Sequence, residues 1–205
     1  MKESAGRSEV LNVGGYLANS RVVGPGVRDA IWVQGCTIGC AGCANREYLP
    51  TVPRYLLPVG RLLDHLASRQ GAIDGISLLG GEPTEQPGAV VALLRGVRRL
   101  GLSSVVFSGR TFESLGADVR TRSILQNADL LIDGPFIRSQ ADDTLFWRGS
   151  KNQRIIPLSG RFSAGELDRT VNAEIVVSAS RVVVNGIGWR EQLPETMFYD
   201  ADRYS

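Results

Sequence analysis

Lysine, histidine and cysteine are all scarce in this 205-residue chain, which has two lysines (Lys2 and Lys151), one histidine (His65) and three cysteines. Each shortage excludes something. Basic character comes almost wholly from arginine, and a net charge of +2 is too small to favour nucleic acid through bulk electrostatics. Three clustered cysteines do not make the even-numbered disulfide framework of a small secreted domain. No run approaches the roughly 18 uninterrupted apolar residues of a membrane span, and Met1–Val10 is polar, without the apolar stretch of a signal peptide. The expectation is a protein of the reducing cytoplasm with no membrane or nucleic-acid partner. With 43% hydrophobic residues the chain can bury a substantial core, most simply as one domain, 1–205.

The few cysteines present are grouped: Cys36-x-x-x-Cys40-x-x-Cys43 contains every thiol of the chain. Iron–sulfur clusters are held by cysteine thiolates, and a cubane [4Fe–4S] cluster has four irons to ligate. Three protein ligands leave one iron open to chelate a small molecule and pass it an electron. A structural zinc site is the competing reading, but it wants four ligands, and His65 lies 22 residues past Cys43 without a partner. Buried, inert thiols are the bland alternative.

Short apolar runs bounded by turn signals alternate with helical patterns. Ala30–Gln34, Ile76–Leu79, Ser104–Ser108, Asp129–Ile132 and Arg154–Leu158 read as buried parallel strands. Val59–Arg69 carries Leu62, Leu63 and Leu66 on one stripe, and Gly88–Leu100 carries Val90, Val91, Leu94 and Val97 at helical spacing. Thr111–Gln126 is helical in parts, with Gly116 marking a break. Repeated strand, helix, strand implies a parallel α/β sheet with right-handed crossovers, either open or part of a barrel. Val10–Val23 reads as an added first strand with Gly14-Gly15 as a bend or bulge. Val171–Val177 and Val182–Val184 read as a hairpin, and Tyr199–Ser205 as a frayed end. His65, inside an amphipathic helix, reads as structural.

In such folds ligands sit at the carboxyl ends of the strands. Gln34-Gly35-Cys36 follows the first of these strands, and Gly80-Gly81-Glu82-Pro83 follows the next. Two glycines let backbone approach a ligand closely, and the carboxylate after them can pair with an ammonium. Alone, the second motif is as readily a turn; after a strand, and beside the cysteine motif, it points to a site.

Six stretches now carry a resemblance: Gly24–Arg28 (GPGVR), Gly35–Asn45 (GCTIGCAGCAN), Ile76–Pro83 (ISLLGGEP), Phe107–Leu115 (FSGRTFESL), Leu130–Phe136 (LLIDGPF) and Trp147–Ile155 (WRGSKNQRI). In this order they resemble the radical S-adenosylmethionine (SAM) superfamily, and within it the activating enzymes of anaerobic ribonucleotide reductase and their single-cluster relatives. The last stretch is a mark of the activase-like group. The resemblance implies an α/β fold, a partial (β/α) barrel with parallel strands. Its core would cover about 24–158, with a C-terminal β-hairpin and tail over about 171–205.

The resemblance also implies roles. Cys36, Cys40 and Cys43 would ligate one [4Fe–4S] cluster, whose fourth iron takes the amino and carboxylate groups of SAM. Gly80, Gly81 and Glu82 would hold the SAM amino group. Ser108 and Asp133 are candidates for its ribose and methionine portions, and Arg148 for its carboxylate or for support of the cluster loop, a structural salt bridge being the alternative. Asn45 would order the cysteine loop. Trp147 would line the site or pack in the core. The partner implied is a glycyl-radical enzyme that gives up a glycine hydrogen, with an electron donor such as flavodoxin or ferredoxin. A small metabolite or peptide as substrate, or a non-catalytic electron carrier, are the alternatives. Three departures stand out. Many radical SAM enzymes carry an aromatic residue just before the third cysteine, near adenine, and this chain has Gly42 there. No cysteine is left for a second cluster, and Lys151 replaces a usual small polar residue.

Overall fold

The computed structural model describes residues 6–167, 173–177 and 182–186. In chain order the elements are β1 (Val10–Ser20), β2 (Arg28–Val33), β3 (Tyr55–Pro58), α1 (Val59–Ala67), β4 (Gly75–Gly80), α2 (Pro87–Arg99) and β5 (Ser103–Ser108). They continue with α3 (Phe112–Ala117), α4 (Arg122–Leu125), β6 (Leu130–Asp133), β7 (Arg154–Pro157), α5 (Ala164–Leu167) and a hairpin of β8 (Ala173–Val177) and β9 (Val182–Gly186). Among the described residues no helix is long and apolar enough to cross a membrane. The end expected at Tyr199–Ser205 and residues 178–181 lie outside the described residues.

Seven strands form one sheet in the order β3-β1-β2-β4-β5-β6-β7. The centre, β2-β4-β5-β6, is parallel, as the alternation of strands and helices predicts. Both flanks are antiparallel, so the sheet is mixed, and β3 and β7 form its two open edges. The Arg154 strand, expected to be parallel, returns antiparallel beside β6 because no crossover helix separates the two. β3 has no counterpart in the sequence reading; it is four residues long and half exposed, too short for a periodic signal. The break in the Thr111–Gln126 helix falls after Ala117, not at Gly116. β1 is irregular between Val13 and Gly15, where Gly14-Gly15 suggested a bulge.

The two faces of the sheet divide the work, because successive side chains on a strand point to opposite sides. Ile31, Leu78, Val106 and Leu131 join the stripes of α1 and α2, among them Leu62, Leu66, Val90 and Leu94, in the main core. On the other face Ala30 packs with Leu79, and Val105, Leu130 and Ile132 pack with Trp147. Pro87 opens α2 at a position whose N–H needs no partner. Just before it, Gln86 bonds both β1 and β2: its Oε1 accepts from Asn12 N (2.7 Å), and its Nε2 donates to the Asn12 and Gln34 carbonyls (both 3.1 Å).

At the amino ends of the parallel strands lies a fully buried arginine. Arg28 Nε donates to Ser77 Oγ (3.0 Å) and the Ile76 carbonyl (3.1 Å), and Nη1 donates to the Pro25 carbonyl (2.7 Å). Nη2 reaches the Ile76 carbonyl (2.9 Å) and Ser103 Oγ (3.1 Å). All these acceptors are neutral. Burial pulls the guanidinium down to about 10, against the more distant charges of Asp74 and Asp129, so it stays protonated at neutral pH. One planar fork thus joins the Gly24–Arg28 turn to the starts of β4 and β5. Arg28→Met should lower stability by about 2–4 kcal/mol by stranding buried carbonyls. Urea unfolding with an unchanged slope is the measurement, and a loss below about 0.5 kcal/mol would show that water replaces the guanidinium there.

Candidate functional site

A cleft of about 1460 Å³ opens at the carboxyl ends of the parallel strands. The loop after β2 brings Cys36, Cys40 and Cys43 to one side of it. The ends of β4 and β5 supply Gly80, Gly81, Glu82 and Ser108, β6 supplies Ile132, and Phe136 and Trp147 line it from the segment beyond β6. The sequence reading paired the three cysteines with the Gly-Gly-Glu turn; the parallel register of β2 and β4, which pairs Val33 with Gly80, brings them together.

The cysteine loop is held at its root by backbone. Gly35 N donates to the Tyr48 carbonyl (2.8 Å) and Cys36 N to the Leu49 carbonyl (3.0 Å), which closes the loop on itself. Gly81 N donates to the Val33 carbonyl and Glu82 N to the Gly35 carbonyl (both 2.8 Å), which ties it to the next strand. Glu85 holds it from above: its Oε1 accepts from Thr37 N (2.8 Å) and Thr37 Oγ1 (2.5 Å). Glu85 was not foreseen as a site residue; it stands two residues past the end of the Gly-Gly-Glu-Pro motif.

All three thiols are free and half-buried. Burial pushes the Cys36 thiol up, reinforced by the Glu82 and Glu85 charges and opposed by the N–H groups of Ile38 and Gly39. Asn45 N donates to Cys43 Sγ (3.4 Å), and the Asn45 carbonyl accepts from Tyr48 N (3.1 Å), so it is the main chain at Asn45 that meets the cysteine loop. Among the described residues no three His, Cys, Asp or Glu side chains are arranged to hold a metal ion. The donor set fits an iron–sulfur cluster on its chemistry: three thiols on one cleft, with N–H groups aimed at two of the sulfurs.

Glu82 is the buried charge of the site, at 1% exposure. Burial raises its carboxyl, and donors from Thr84, Gly109 and Ser108 oppose that rise. Oε1 accepts from Thr84 N (3.0 Å), Thr84 Oγ1 (2.6 Å) and Ser108 Oγ (3.0 Å), whereas Oε2 accepts from Gly109 N alone (2.8 Å). A carboxylate oxygen has two lone pairs. Oε2 therefore has one acceptor position that no protein donor uses.

The other expected residues take different places. Ser108 lines the cleft, but its hydroxyl is engaged by Glu82 and by Arg110 N (3.0 Å). Asp133 does not face the cleft, contrary to the direct ligand contact expected of it. It follows Ile132 on β6, and the alternation that turns Ile132 to the cleft turns Asp133 to the helix side. There Asp133 Oδ2 accepts from Phe112 N (2.6 Å) at the start of α3, and both carboxylate oxygens accept from Arg154 (2.9 and 2.5 Å). Trp147 and Gly149 line the cleft while Arg148 between them does not; its Nε donates to the Phe146 carbonyl (3.4 Å). Trp147 is both core and wall, buried at 5% with φ of 56°, an uncommon conformation for a bulky residue. Lys151 forms a surface ion pair with Asp142 (3.7 Å).

Residues 22–156 match the family model described as a 4Fe-4S single cluster domain. The chain is 34% identical over 153 residues to the anaerobic ribonucleoside-triphosphate reductase-activating protein of Pasteurella multocida (strain Pm70), covering 71% of this chain and 96% of that protein. It is 30% identical over 151 residues to the protein of the same name from Escherichia coli (strain K12), covering 70% and 96%. Among solved structures, QueE from Escherichia coli aligns with a TM-score of 0.43 at 15% identity, over 54% of this chain and 58% of that one, too slight a likeness to argue from.

The crossing of the two loops leaves no room at Gly81. A Cβ there would fall on the Gly35 carbonyl and lie 2.9 Å from the Tyr48 carbonyl oxygen. At Gly39, also in the cysteine loop, a Cβ would meet nothing within 4 Å, and only its φ of +64° favours glycine. Gly81→Ala should therefore cost about 2–3 kcal/mol, and Gly39→Ala only about 1 kcal/mol. Urea unfolding of the two variants in parallel tests the contrast; equal losses would remove the loop crossing as the reason for Gly81.

Proposed function

The chain belongs to the radical SAM activase family, and from that premise we propose that it takes a hydrogen atom from a glycine of a partner enzyme, using SAM and a single [4Fe–4S] cluster. A bound, reduced cluster would supply the one electron needed for reductive cleavage of SAM, and the cofactor would supply the hydrogen-abstracting group.

The chain's own residues hold, orient and shield. Cys36, Cys40 and Cys43 would hold the cluster through their thiolates, and three protein ligands would leave it able to take the amino and carboxylate groups of SAM. The SAM ammonium would take the unused acceptor position on Glu82 Oε2 as a charge-assisted hydrogen bond, with Gly80 and Gly81 beside it in the cleft lining. Ser108 acts through Glu82, whose carboxylate it holds in place. Asp133 acts at one remove, through Phe112 N and Arg154. Arg148, which lies outside the lining and donates to the Phe146 carbonyl, acts in support of the cleft wall and not on the SAM carboxylate. The apolar wall of Ile132, Phe136 and Trp147 limits the water that could quench a radical.

The observation that carries this reading is the meeting of the three thiols with a buried carboxylate, whose Oε2 takes a single protein donor, in one cleft. A protein partner is favoured by the names of the relatives, which are activating proteins of a reductase. A flavodoxin or ferredoxin as electron donor, a cytoplasmic location, one domain over 1–205 and the curvature of a partial barrel complete the proposal.

Anaerobically reconstituted protein with a strong reductant and a glycyl-radical partner should yield 5′-deoxyadenosine and methionine in equal amounts, with a glycyl signal on the partner by electron paramagnetic resonance. Cys40→Ala should yield none. Fully iron-loaded wild type that cleaves no SAM, with or without partner, sinks the reading. Glu82→Gln should keep the iron and weaken SAM binding about tenfold or more, the loss of about 1.5–3 kcal/mol from one charge-assisted bond; unchanged affinity by equilibrium titration would remove that role.

A further inference from the structure

Gly42 occupies the place before the third cysteine, and what stands against it is an aromatic ring from elsewhere. A Cβ built on Gly42 would lie 3.3 Å from Cε1 of Phe136, and one built on Gly149 would lie 3.1 and 3.3 Å from Cδ2 and Cε2 of the same ring. Two glycines from distant segments thus bracket Phe136 at opposite edges, and a side chain on either would press into it. Phe136 lines the cleft and is only partly buried. Among the described residues the apolar clusters take up Phe107, Phe146 and Phe162 but not Phe136. The core therefore does not account for this ring.

The backbone around the ring is clamped. Asn152 Nδ2 donates to the Pro135 carbonyl (2.7 Å), Gln153 Nε2 to the Gly134 carbonyl (3.0 Å), and Ile137 N to Ser150 Oγ (3.2 Å). Gln153 Oε1 in turn accepts from Gly149 N (2.7 Å), which fixes the second bracketing glycine. Pro135 adds a preset φ on the residue before Phe136. An aromatic side chain held from both sides and left facing a ligand cleft is a preorganised stacking surface.

We propose that Phe136 is the shelf on which the purine base of the bound cofactor stacks, a specificity-determining residue supplied by the loop after β6. The proposal rests on the SAM reading given above. A purine has two apolar faces and a polar rim. Its face meets the phenyl ring, and its rim meets the bare backbone that Gly42 and Gly149 expose beside that ring. Stacking of a base on an aromatic side chain is sequence-tolerant but strongly favours a planar ring over an aliphatic group.

Calorimetric titration of the anaerobically reconstituted protein with SAM, 5′-methylthioadenosine and L-methionine tests the assignment without turnover. Phe136→Ala should weaken SAM and 5′-methylthioadenosine about tenfold each and leave methionine, which has no base, unchanged. Phe136→Trp should restore the two nucleosides. Phe136→Leu keeps the apolar bulk and safeguards folding, checked by iron content and thermal unfolding, and should still bind both nucleosides several-fold more weakly. Unchanged nucleoside affinity in Phe136→Ala or Phe136→Leu, or an equal loss for methionine, overturns the shelf while the SAM reading stands. Wild type that binds neither nucleoside overturns the SAM reading, and the shelf with it.

Discussion

Burying the Glu82 carboxylate costs several kcal/mol unless donors meet its charge, and the donors come from three separate positions of the chain. Thr84 follows it in the turn after β4; Ser108 and Gly109 lie at the end of β5. Satisfying one buried charge therefore sets where two strand ends stand relative to each other. The backbone N–H of the same residue reaches the Gly35 carbonyl, one position before the first cysteine. The cysteine loop, the glycine turn and the floor of the cleft are positioned together, and a displacement of any one leaves a buried polar group without its partner.

A second buried charge performs a similar office at the opposite end of the sheet. Arg28 binds carbonyls and hydroxyls at the starts of β4 and β5, so the parallel strands are pinned at both ends by groups that must be satisfied in place. Between these ends the sheet is apolar on both faces, as parallel strands covered on two sides require. Directional bonds at the ends hold the register; burial between them supplies most of the stabilisation.

The segment from Gly134 to Gln153 forms the far wall of the cleft without any strand or long helix of its own. Side-chain amides do the work that a ladder does elsewhere, with Asn152 and Gln153 bonding backbone at Gly134, Pro135, Gly149 and Ser150. This explains why Asn and Gln follow the Trp-Arg-Gly-Ser segment: each presents a donor and an acceptor, and Gln153 uses both. The bent backbone at Trp147 is held by the same structure that orients Phe136.

Much of this could be read from the residues alone. Cys36, Cys40 and Cys43 stand close in the chain, and their spacing points to one cofactor before any fold is known. The strands β2, β4, β5 and β6 and the helices α1 and α2 follow from apolar runs and helical stripes, because burial of those side chains is what makes the elements stable. Sequence alone determined the inventory: which chemical groups exist, which are neighbours along the chain, and which stripes must face inward. Only the tertiary structure decided direction and company. Asp133 stands one residue past Ile132, yet strand alternation sends it to Arg154 and not to the cleft. Glu85 and Phe136 meet the cysteine loop from 48 and 94 positions away (85 against 37; 136 against 42). Such meetings are set by strand register and by loops closed on side-chain hydrogen bonds, and no local pattern of residue types encodes them.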